Sequence, residues 1–212
     1  MKNHILAILI VLLTFGFSAF AGTTLFTNIG LQEGFGFGRK TDNTNTADFN
    51  YFSTTVRSDT QFYWGSHQIG FSIKPSIGTF YGYNAKMSKG ITTVTGTIPN
   101  PGFYLGLGLG FAWNKNITDT FDFYGEVGYI VKDMIVETNE GAYGDVNSGI
   151  FLTLGGRAFA DQKNNLTFGL DINFNFANIG FSVTKKDGTQ FGGFAMAEFE
   201  FQPFIAYSVR IR

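Results

Sequence analysis

Between Phe103 and Trp113 every odd position carries a large apolar side chain (Phe103, Leu105, Leu107, Leu109, Phe111, Trp113), and the even positions carry Tyr104, Gly106, Gly108, Gly110 and Ala112. A period of two is the mark of a strand with two chemically different faces. After the polar segment Asn114 to Asp119 the alternation resumes, with Phe121, Phe123, Val127, Tyr129 and Val131 on one face and Asp122, Glu126 and Lys132 on the other. The pair reads as a hairpin with one greasy face and one small or charged face.

The same pattern runs through the chain. Strands are predicted at Leu25 to Phe37, Phe49 to Phe62, Ile69 to Ile77, Asn147 to Phe159, Leu166 to Phe176 and Phe194 to Ile211, in addition to the hairpin. Thr27 and Glu33 break the apolar face of the first strand. The second is the weakest, since its better face is only Phe52, Thr54, Val56, Ser58, Thr60 and Phe62, and its turn falls at Arg57 to Thr60 or at Trp64 to His67. Pro75 lies on the outward set of the third strand, where a lost ladder bond needs a bulge or a local break. Arg39 to Asp48, Tyr83 to Pro101 and Asp133 to Val146 lack periodicity and are predicted as long loops, with a strand-like core at Ile91 to Thr95 inside the second. Beyond Ala177 the apolar parity flips, which predicts a bulge, and Asp187-Gly188 carries a hairpin-turn signal.

These elements total about eight strands whose connections alternate long and short. Such hairpins close into a sheet with the greasy face outward only where no water competes for backbone hydrogen bonds. The predicted fold is therefore all-β: a closed antiparallel up-and-down transmembrane β-barrel.

Composition supports this reading. Residues 1–21 look like a secretory signal peptide, with Lys2, the apolar run Ile5 to Leu13 and the cleavage pattern Ala19-Phe20-Ala21, leaving residues 22–212 as the barrel domain. The chain has no cysteine, so disulfides and thiolate metal sites are excluded. A formal net charge of −1 without a basic block argues against nucleic acid as a partner. The 28 glycines and the 17% aromatic content fit rings that face lipid and glycines that relieve crowding in a narrow interior.

The export signal and the eight alternating strands resemble the small outer-membrane β-barrel class of OmpX and the membrane domain of OmpA. The resemblance implies a bacterial outer membrane as the location, short periplasmic turns and longer external loops. It also implies outer-membrane lipid and the outer-membrane assembly machinery as partners.

Catalytic chemistry finds little support. The mature chain holds one histidine, His67, at the candidate short turn, and no cofactor is predicted. The runs GFGFG at Gly34 to Gly38 and GLGLG at Gly106 to Gly110 lack the spacing of a phosphate loop and read as strand glycines. Asn116-Ile-Thr118 and Asn165-Leu-Thr167 match a glycosylation sequon and read as turn asparagines.

The inward charges Lys74, Asp122, Glu126, Arg157, Asp171, Glu198, Glu200 and Arg210 are expected to pair and plug the lumen. The hairpin carrying Phe181, Val183, Lys185, Lys186 and Phe191 is expected to stand outside the membrane and meet a host or envelope partner. The function classes that follow are a structural or adhesive barrel, a narrow solute channel, and, least supported, a lipid-modifying enzyme.

Overall fold

The computed structural model describes residues 23–41, 46–64, 68–89, 92–97, 101–138, 141–185 and 195–211. Residues 1–21, expected to be a leader, and His67, expected in a short turn, lie outside them. The described strands are β1 (Thr23–Thr41), β2 (Thr46–Trp64), β3 (Ile69–Lys89), β4 (Thr92–Thr97), β5 (Gly102–Thr118), β6 (Phe121–Thr138), β7 (Gly141–Phe159), β8 (Asn164–Lys185) and β9 (Ala195–Ile211).

Pairing runs β2-β1-β9-β8-β7-β6-β5-β3, and a further β2–β3 ladder closes the ring, so eight strands form a barrel. Among the described residues β4 pairs with β3 alone, from Asn84↔Thr97 to Lys89↔Thr92. The ladders are antiparallel, and the first and last strands meet where Leu25 pairs with Ile211.

Alternation sets the two surfaces. Ile29, Leu31, Leu107, Phe111 and Ile205 stand on the outside, Phe111 with 68% of its surface exposed, while Tyr51, Arg57 and Glu126 are buried in the lumen. A water-soluble protein would invert this order, because exposed apolar area costs about 25 cal/mol per Å² in water. Around one side of the long-loop end, aromatic rings form a contiguous run: Tyr81, Phe52, Phe35, Phe37, Phe199 and Phe174, with successive centroids 6.0, 5.2, 5.7, 6.1 and 4.7 Å apart. It has the position of an interfacial girdle. Inside, glycines make room for rings lying along the wall: a Cβ at Gly36 would come within 2.3 Å of Tyr51, and one at Gly155 within 2.5 Å of Tyr124.

Irregularities fall where backbone chemistry demands them. The β2–β3 register passes from Arg57↔Ser76 to Thr60↔Ile73, interrupted opposite Pro75, which has no N–H to give. The β1–β9 register likewise skips from Gln32↔Phe204 to Phe35↔Phe201 around Pro203. Register shifts at Ser148/Gly149 in β7–β8 and at Asn175/Ala177 in β8–β9 account for the parity flip. Gly82, at φ 61°, takes the left-handed region beside the β2–β3 shift at Asn50/Phe52.

Several expectations are corrected. Arg39 to Asp48 and Asp133 to Val146 are not long loops: β1 and β2 pair up to Thr41↔Thr46, and β6 and β7 up to Thr138↔Gly141. Much of Tyr83 to Pro101 is likewise the β3–β4 ladder. Above a membrane both faces of a sheet are wet, so pairing continues without an apolar alternation to announce it. The alternative turn at Arg57 to Thr60 is also excluded, because β2 runs through it to Trp64. Asn116 and Asn165 lie in β5 and β8 and not in turns.

Candidate functional site

The buried side chains of the lumen lie in layers set by strand position. Toward the long-loop end Phe49, Tyr51, Phe80, Tyr104, Met134 and Met196 form an apolar layer, with Tyr83 and Ala85 packed against it. Below it Lys132 of β6 reaches two carboxylates of β9, Glu198 and Glu200, the latter at 3.3 Å. The Tyr51 hydroxyl donates to Glu198, and Asn173 Nδ2 donates to Glu200 at 3.2 Å.

The next layer gathers Arg57, Asp59, Lys74, Glu126 and Asp171. Lys74 Nζ lies 2.8 Å from Asp171 Oδ1 and 3.4 Å from Glu126 Oε2. Arg57 Nη2 donates to Asp59 at 3.0 Å; its Nη1 sits 3.2 Å from Asp171 Oδ2, an ion-pair distance without hydrogen-bond alignment. Gln61 donates to both Asp59 and Glu126, and Gln32 donates to Asp171 at 2.6 Å. Charges desolvated to this degree persist only when other groups replace their water.

Arg157 is handled differently. Among the described residues no carboxylate lies at ion-pair distance from it. Its guanidinium sits 4.1 Å from the Phe26 ring centroid and 4.0 Å from that of Tyr124, and it donates to Asn114 Oδ1 at 2.6 Å. Asp122, its cross-strand neighbour, takes the Asn114 amide at 3.1 Å, so Asn114 bridges the two. Phe26, Tyr63 and Ala112, with Phe159 against them, form a second apolar layer at the short-turn end, and Arg210 lies over Phe26 and Phe159 at 5.4 and 5.8 Å.

Beyond the belt, Arg39 Nε donates to Asp48 Oδ1 at 2.6 Å, which holds the Asp48 carboxyl below the usual carboxylate range. In the β7–β8 turn Asp161 accepts the backbone N–H groups of Lys163 and Asn164 and the Asn164 side-chain amide, each at 2.7 Å. The Asn164 side chain is the main cause of a lowered Asp161 pKa.

This closed ring with an apolar exterior and an ionic interior matches solved structures over nearly its whole length. OprG from Pseudomonas aeruginosa superposes with a TM-score of 0.58 at 10% identity, over 91% of this chain and 98% of that one. The chain has the fold of the small outer-membrane β-barrels. AlkL, solved in lipid bilayers, superposes with a TM-score of 0.53 at 13% identity, over 92% of each chain. No protein-family model matches the sequence, and no curated protein matches it. The kinship to these outer-membrane barrels is one of architecture.

Within this barrel the eight lumen charges expected from the sequence separate into three settings. Lys74, Glu126 and Asp171 meet in one cluster; Glu198 and Glu200 share Lys132 in another; Asp122, Arg157 and Arg210 lie toward the short-turn end. Sequence reasoning left out Arg57, Asp59 and Lys132 as members. Lys132 already shared a strand face with Asp122 and Glu126, and Arg57, Asp59 and Gln61 follow the period of two. The threonines and serine opposite them hid that period. Of the hairpin residues, Phe181, Val183 and Lys185 lie in β8, paired with Asp145, Tyr143 and Gly141 of β7, while Lys186 and Phe191 lie outside the described residues.

Proposed function

We propose that the protein is a bacterial outer-membrane barrel with a closed lumen that serves surface recognition or adhesion and performs no catalysis, exported by a leader cleaved after Ala21. The observation that carries this reading is the lumen itself: two buried ion-pair clusters lie between two apolar layers. The ion pairs act as a structural plug that fixes the strands.

Recognition then belongs to the sheet beyond the belt. A tilted strand crosses a bilayer in about 9–11 residues. β3 has 21 and β8 has 22, so each continues well past the aromatic girdle. The β3–β4 hairpin and the upper β7–β8 ribbon, with Phe181, Val183 and Lys185 in β8 and Lys186 and Phe191 beyond it, form the proposed contact surface. Exposed strand edges there offer backbone groups to a partner.

The test combines three measurements on refolded protein. Heat-shifted electrophoretic mobility reports the barrel. Planar bilayers are expected to show no stable conductance steps, and such steps would replace the plug with a channel. Deleting Gly180 to Gly192 is expected to keep the heat shift and abolish attachment to cells; unchanged attachment would remove this surface.

A further inference from the structure

On the outside of the barrel, within the apolar belt, stands an exposed carboxylate. Glu33 of β1 is exposed between Leu31 and Phe35, both of which also face outward. It pairs across the sheet with Thr54 of β2, which pairs with Thr79 of β3, so one row on the outer surface reads Glu33, Thr54, Thr79. Thr54 Oγ1 donates to Glu33 Oε2 at 2.8 Å. The same face carries Ser58 and Thr60, half-buried, and the exposed Pro75 and Pro203, where the ladders are interrupted. The far side differs: Ile150, Leu152 and Leu154 of β7 and Leu166 and Phe168 of β8 are exposed there. Asp133, an acid on the outward side of β6, is half-buried.

Lipid chains offer no hydrogen bond, and an ionisable side chain in the bilayer is costly unless a partner meets it. A carboxylate has room for about four donors, and the hydroxyl of Thr54 fills one place. We infer that the β1–β2–β3 face, centred on Glu33 and Thr54, is an interface with a second copy of this chain in the membrane. The inference rests on the membrane placement proposed above.

The chemistry of the patch selects that occupant. It holds an acceptor and its donors on one surface, which is what a two-fold interface requires, since each residue type must meet its complement on the same patch of the other copy. A two-fold axis along the membrane normal through Thr54 sets β1 of one copy against β3 of the other. Glu33 then meets the hydroxyl-bearing strands and not the second Glu33. Hydroxyl and carboxyl side chains are effective contacts between membrane segments because lipid cannot replace them. Phe35, Phe52 and Tyr81, in contact at centroid distances of 5.2 and 6.0 Å beside the row, give the copies an aromatic border.

The chain has no cysteine, so single cysteines report proximity directly. Val56→Cys places a thiol on the proposed face and Leu152→Cys on the opposite one. In liposomes under mild oxidation, Val56→Cys is expected to give a disulfide dimer and Leu152→Cys only monomer. Adding Glu33→Leu, or Thr54→Val together with Thr79→Val, is expected to cut the dimer fraction at least tenfold with the heat shift unchanged. Equal cross-linking from both faces, no dimer from Val56→Cys, or a dimer indifferent to both sets of changes would overturn the interface. Loss of the heat shift in the unmodified chain would instead overturn the membrane barrel.

Discussion

Lys132 and Glu198 form an ion pair between strands that are not neighbours in the barrel wall: β6 and β9 are separated by β7 and β8, and both side chains are fully buried. The contact crosses the lumen, so it holds the barrel against flattening in a way that no ladder bond can.

Lys132→Met should therefore leave Glu198 and Glu200 facing each other without their cation. The expected loss is about 3–5 kcal/mol, the cost of stranding a buried charge. Urea unfolding in detergent micelles measures it. Adding Glu198→Gln should recover part of the loss, and a double change worse than Lys132→Met alone would contradict the pairing.

Arg157→Leu should cost less than Lys132→Met, although both cations are buried. Arg157 is compensated by the Phe26 and Tyr124 rings and by Asn114, so its removal leaves a bridged Asp122 and no bare ion-pair partner. Desolvated cation–π contacts are worth about 2 kcal/mol. Arg157→Lys should not restore wild-type stability, because the stacked planar guanidinium is what the rings hold. The same unfolding assay decides both.

Asp161 gives a pH dependence with a definite sign. Its three hydrogen bonds favour the ionised form, so its folded pKa lies below the ordinary value of 3.8. The contribution of the turn is then fully present above that value and lost as pH falls through the folded pKa. Asp161→Asn should be less stable than wild type at pH 7, and the difference should vanish in strong acid. A gap that persists there would show that the turn does not depend on the carboxylate's charge.

How much of this was legible in the chain depends on where each residue sits. Inside the belt one face meets lipid and the other a packed lumen, so β5, β6 and β8 carry a clean period of two, from Phe103 to Trp113 and from Leu166 to Phe176. Strand number, the outward and inward sets and the closure of the sheet follow from that alternation and from the need to satisfy backbone groups in lipid. β2 was harder to read because Thr54, Ser58 and Thr60 weaken its outer face, and Thr54 is the cross-strand partner of Glu33. Beyond the belt water reaches both faces, so no hydrophobic rule marks the strands that continue through Arg39 to Asp48 or Asp133 to Val146.

The amino-acid sequence by itself determined which way each charge points, since direction is a local property of strand parity. Only the tertiary structure decided which charges meet. Lys132 finds Glu198 and Lys74 finds Asp171 across a closed ring, at sequence separations of 66 and 97 residues. Those meetings depend on the stagger of the whole barrel, which accumulates over eight ladders, two proline interruptions and several bulges. A shift of one pair anywhere in the ring would move every partner across the lumen, and no local pattern encodes that sum.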